Sequence, residues 1–176
     1  MIRTRKLTYG GLLLAIGILL PQVFHFTGIP NAGAIFLPMH IPVLFSGFFL
    51  GPVFGFLNGI LTPLLSSLFF SMPSPARMPF MVLELASYGL LSGLFFRRLR
   101  LERFRVWGGV LSLLSAMAGG RAIYALALWI AAGLFHIPCG GIAAALTAVV
   151  TGLPGILIQL IFIPLLLYVL RKAGKF

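Results

Sequence analysis

Nearly every charged side chain in this chain falls between long apolar runs, and the runs approach the roughly 20 residues that carry a helix across a bilayer. Hydrophobic residues make up 60% of the sequence and charged residues 9%, whereas a soluble domain needs roughly a quarter charged residues to cover its surface. The pattern dictates an all-α, polytopic membrane protein with six transmembrane helices. These spans use up most of the length, so residues 1–176 are read as a single integral-membrane domain.

The spans can be taken in order. The first covers 7–26 and is followed by a Gly/Pro/Asn-rich loop through Pro38. The second, 41–50, is short on the apolar count and is extended back to Phe36. Gly51-Pro52 marks a tight turn into the third, 53–70. A proline-dense loop, 71–79, leads to the fourth at 80–96. The fifth is placed at 107–135 and the sixth at 143–170. Both exceed the length a perpendicular helix needs, so tilt, or a break at Gly140-Gly141 or Pro154, is expected.

Basic residues orient the bundle. Arg3, Arg5 and Lys6 precede the first span; Arg97, Arg98, Arg100, Arg103 and Arg105 join the fourth to the fifth; Arg171, Lys172 and Lys175 follow the sixth. With six spans all three clusters fall on one side, and only Arg77 lies on the other. The positive-inside rule then places both termini in the cytoplasm. A secretory signal at the N-terminus is the competing reading, since Arg3–Lys6 precede an apolar run and Ala32-Gly33-Ala34 follows it. The run has the length of a span, however, and cleavage would leave an odd number of spans and spoil the charge agreement.

The same pattern excludes several functions. A formal charge of +11 would suit nucleic acid, but these basic residues flank apolar spans and build no separate basic face. The single cysteine, Cys139, rules out an internal disulfide and reads as a packing residue. No His/Cys/carboxylate spacing suits a metal, no Gly-rich lysine motif suits ATP, and no catalytic triad or carboxylate pair appears. Neither enzymatic chemistry nor a cofactor is expected.

Two charges lie inside apolar stretches, Glu84 and Arg121. A charge within the bilayer costs at least a few kcal/mol, so it needs a partner or a task. At 1.5 Å per helical residue, Glu84 lies roughly 8 Å below the outer rim. By the same count Arg121 lies roughly 9 Å below it, in a core about 30 Å thick. The two share a depth. They either lock two helices together or line a pocket open to the outer face. Tyr88 is one turn below Glu84 and Tyr124 nearly one turn above Arg121. Asn58, Thr62 and Gln159 are further polar groups within spans, Asn58 above all reading as helix–helix glue. On the outer loops the chemical handles are Asn31, Met39, His40, Ser71, Ser74, Arg77 and His136. In the first span, Gly11 and Ala15 form a small-xxx-small pair; with Gly10 and Gly17 they leave much of that helix flat.

Taken together these residues resemble the substrate-binding S components of energy-coupling factor (ECF) transporters. The likeness covers essentially the whole chain and is carried by several stretches. They are Phe36-Leu-Pro-Met-His-Ile-Pro-Val-Leu44 with Gly47 and Leu50-Gly-Pro52, then Pro63-Leu-Leu-Ser-Ser67, Met72-Pro73 and Glu84-Leu-Ala-Ser-Tyr-Gly-Leu90. Gly120-Arg121 and Pro154-Gly155 complete it. The resemblance implies high-affinity capture of a water-soluble vitamin or its precursor, such as pantothenate, folate or a cobalamin precursor. It further implies a bacterial cytoplasmic membrane protein that docks on a transmembrane coupling subunit with two ATPase subunits, and topples to deliver its load. The family docks through an Ala-xxx-Ala pattern on the first helix. Gly11 and Ala15 occupy those positions here, a departure in one residue that keeps the smallness. Carried onto this chain, the family's binding region points to Asn31, Met39, His40, Ser71, Arg77, Glu84, Tyr88, Arg121 and Tyr124. The alternatives are a small oligomeric channel, whose pore would need polar residues at several depths, and a stand-alone carrier.

Overall fold

The computed structural model describes residues 3–26, 28–98 and 105–173. They form eight helices: α1 (Arg3–His25), α2 (Ala32–Phe36), α3 (His40–Leu50), α4 (Pro52–Phe70), α5 (Met78–Arg98), α6 (Arg105–Gly133), α7 (Gly141–Thr151) and α8 (Leu153–Lys172). The described residues contain no strand. Six segments are long and apolar enough to cross a membrane, with α2 and α3 counting as one.

Three spans differ from the sequence expectation. The second begins at Ala32 and is broken where Leu37 takes a left-handed conformation, φ 49°. The expected 143–170 helix is two helices, α7 and α8. The break falls at Gly152, and Pro154 sits in the first turn of α8, where its missing N–H costs nothing. The fifth span, α6, ends at Gly133, two residues early, and the chain returns through Gly140 and Gly141, both at positive φ.

A glycine seam holds α3, α4 and α5 together. A Cβ on Gly55 would collide with the Gly89 carbonyl, and one on Gly89 with the Gly55 carbonyl. Four residues along, a Cβ on Gly59 would strike the backbone of Leu85 and Ala86, so α4 and α5 run antiparallel in that register. Gly47 and Gly93 close the seam onto α3 in the same way. Helix backbones this close gain dispersion contacts that apolar tails cannot supply, which drives association inside a bilayer. Ser92 adds a hydrogen bond from Oγ to the Leu44 carbonyl, 3.2 Å. Asn58 acts as the expected glue: its Nδ2 donates to Gly10 O at 3.2 Å and to Ser46 Oγ at 3.0 Å, tying α4 to α1 and α3.

Around this seam Leu44, Phe48, Tyr88, Phe96, Leu113 and Ile163 build a core shared by α3, α5, α6 and α8. The start of α1 and the end of α8 reach the same end of the bundle. Tyr9 packs edge-on against Phe49, and Arg171 lies over the Phe96 ring, 5.7 Å from its centroid. At that end Gly51 makes the α3–α4 turn alone, at φ 108°, a conformation that favours glycine. Arg97 Nη2 donates to the Phe49 carbonyl beside it, 3.0 Å.

The four small residues of α1 do not form one face. Gly10 and Gly17 turn inward, where a Cβ would meet Phe54 and Thr62; Gly11 and Ala15 are exposed.

Candidate substrate-binding cavity

At the end of the bundle opposite the basic clusters' described members, a cavity of about 630 Å³ opens between two loops, α2, and parts of α1, α3, α5, α6 and α7. One face of α5 supplies much of its depth. Arg77, just ahead of the helix, Met81 and Glu84 all line it, at the i, i+4, i+7 spacing that puts side chains on one stripe. The Ser71–Arg77 loop is folded onto its helix: Ser67 Oγ donates to the Pro73 carbonyl at 2.9 Å, and the Arg77 N–H donates to the Ser74 carbonyl at 2.9 Å. The second loop uses left-handed turns at Gly28 and Asn31, the latter a residue type that tolerates them.

At the floor, Glu84 Oε1 accepts two hydrogen bonds. Arg121 Nη1 lies 2.9 Å away and Tyr88 Oη 3.1 Å away. His40 Nε2 stands 3.8 Å from the same oxygen, too far for a hydrogen bond, and its ring packs 5.3 Å from that of Tyr88. Glu84 is 4% exposed and His40 1%. A buried carboxylate is tolerable when paired and hydrogen-bonded in this way.

Two glycines stand beside that pair. A Cβ on Gly120 would run into the Tyr88 ring, so only glycine brings α6 close enough for Arg121 to reach Glu84. A Cβ on Gly152 would sit 3.4 Å from Arg121 Nη2 and 2.9 Å from Leu37 Cδ1. The glycine at the break thus lets Leu37 pack close, and the break sets the negative end of the α7 dipole beside the guanidinium.

Every binding residue expected from the sequence lines this cavity except Tyr88: Asn31, Met39, His40, Ser71, Arg77, Glu84, Arg121 and Tyr124 all do. Tyr88 lies behind Glu84, buried, and orients its carboxylate. His136 lies outside the lining. The sequence reading missed Pro21 and His25 of α1, Met81 and Ala148. Pro21 and His25 stand one turn apart at the C-terminal end of their helix, and Met81 falls on the stripe through Glu84, so helical spacing carries a signal for all three. Ala148 carries none: it is one small residue among many in an apolar run.

A family model described as the substrate-specific component of ECF transporters matches residues 5–167. The chain belongs to this family. It is thus the substrate-capture subunit of an ECF transporter, a non-catalytic, multi-pass membrane protein whose membership implies association with coupling and ATPase subunits. Neither curated proteins nor solved structures give a match to this S component.

Proposed function

We propose that this S component binds a water-soluble vitamin or vitamin precursor in the cavity floored by Glu84, Arg121 and His40. It hands that ligand to an ECF module through the open face of α1. The observation that carries the reading is the placement of the charged pair. Glu84 and Arg121 meet at the floor of a cavity of about 630 Å³, a size suited to a small organic ligand. A pair serving only to lock helices needs no cavity beside it. Gly11 and Ala15 support the docking role, since both are exposed and a Cβ on Gly11 would meet no other group. In this reading the bundle, residues 1–176, is one domain of a bacterial cytoplasmic membrane, with both termini on the cytoplasmic side and ATP hydrolysis confined to the partner subunits.

Identification by mass spectrometry of the small molecule retained by the detergent-solubilised protein tests the reading directly. A mutational test accompanies it. Arg121→Ala strands a buried carboxylate, which costs about 3–5 kcal/mol, so the neutral double variant Glu84→Gln/Arg121→Gln is the cleaner probe. It should stay folded and lose affinity at least 100-fold by calorimetry. Wild-type affinity in that variant would make the pair a helix lock only.

A further inference from the structure

We infer that the ligand carries a single net negative charge, a monocarboxylate being the simplest case, and that Arg77 supplies the counter-charge at the cavity mouth. This rests on the capture reading above and narrows its substrate class.

The argument begins with where the cations are. Of the thirteen Lys and Arg residues, all but Arg77 and Arg121 belong to the three clusters that flank the spans. Both exceptions line the cavity. Against them stands Glu84, the sole acid among the described residues, and its Oε1 is already taken by Arg121 Nη1 at 2.9 Å. With histidines counted as neutral, the lining carries two positive charges and one negative. The surplus positive charge falls to Arg77.

The position of Arg77 turns that sum into a layout. It is exposed at the mouth, seven residues before Glu84 on the α5 stripe, or about 10 Å higher along the helix axis. Between the two levels Met81 stands on the stripe, and Ile29, Pro30 and Leu37 join it in a lining that also holds Asn31, Ser71, Ser74 and Tyr124. The floor offers hydrogen-bonding groups whose charge is already balanced. His40 makes no hydrogen bond through either ring nitrogen. It also opens α3, so the positive end of that helix dipole abuts the cavity. The fitting ligand is compact, with an anionic end outward and an uncharged polar end about 10 Å deeper. A cation meets a surplus of like charge, and a dianion leaves one charge unmatched. A corrinoid is too bulky for the space.

Calorimetry on the purified protein tests this with acids and their uncharged counterparts: nicotinate and nicotinamide, pantothenate and panthenol, biotin and biotinamide, lipoate and lipoamide. Riboflavin and pyridoxine serve as further neutral probes, thiamine as the cation and folate as the dianion. One monocarboxylate should bind at least 100-fold more tightly than its neutral counterpart. Arg77→Gln, an exposed change, should weaken the acid about 10-fold or more and the neutral counterpart less than twofold. The charge inference falls, with vitamin capture intact, if the tightest ligand is neutral, cationic or doubly charged, or is an acid that Arg77→Gln binds unchanged. If no member of the set binds, both the inference and the capture reading fall.

Discussion

On the seam between α3, α4 and α5, Gly47, Gly55, Gly59, Gly89 and Gly93 each stand where a Cβ would run into a neighbouring helix; on α1, a Cβ at Gly11 would meet no other group. The segments differ just as much in burial. Of the apolar window across α2 and α3, 67% is inside the bundle, against 11% for α1. Small residues in a membrane helix thus answer two needs. In the seam they are filled by a partner within the chain. On α1 the outward pair is left open, and the inward pair, Gly10 and Gly17, does the local packing. Spacing alone does not separate the two uses, because Gly11 and Ala15 repeat at the same interval as Gly55 and Gly59. The neighbour that fills the gap, or its absence, separates them.

This contrast can be attacked from either side. The largest effect is expected in the seam. Gly55→Leu has no space to enter and should destabilise the folded protein by about 3 kcal/mol or more, measured as loss of the cooperative thermal transition in detergent. A normal transition would mean that α4 and α5 are not in backbone contact. A smaller loss, about 1 kcal/mol, is expected for Asn58→Ala, which removes the bonds to Gly10 O and Ser46 Oγ. Stability unchanged within error would show α1 to be held by apolar packing alone. The smallest effect on folding, within about 0.5 kcal/mol, is expected for Ala15→Trp on the exposed face. That variant should still bind ligand in isolation, yet fail to support uptake in liposomes containing the coupling and ATPase subunits. Full uptake would remove α1 from the docking role, and lost folding would put Ala15 inside the bundle.

Much of the frame was legible in the residues because a bilayer leaves a chain few options. Apolar runs must be helices, and charges must sit at their ends or find each other. Glu84 and Arg121 could be matched by counting 1.5 Å steps, and the 2.9 Å ion pair joins them. The breaks were harder to place. Leu37 is an ordinary helix former; Pro38 after it disfavours continuing the helix, but nothing in the pair dictates the left-handed turn, in which Leu37 is buried and its carbonyl accepts from the His40 N–H at 3.1 Å. The role of Tyr88 was hidden for a related reason. Sequence spacing put it on the face of Glu84, but depth decides whether a residue on that face lines the cavity or backs it. The contribution of α1 to the cavity wall, through Pro21 and His25, depends on how two helices lean together, which no single-helix pattern contains.

The ion pair at the cavity floor also bears on the path a solute takes. Glu84 and Arg121 fasten α5 to α6, and the absence of a side chain at Gly120 lets Tyr88 wedge in just beneath. Parting those helices would strand both charges, so that flank is latched. The rest of the rim consists of the last turn of α1, the bend around Gly28 and Asn31, and the segment from Ser71 to Arg77, where Gly28, Asn31 and Arg77 are exposed. If the cavity captures a solute as proposed, its mouth is built from irregular backbone, with Arg77 on the threshold and the α5–α6 ion pair behind it.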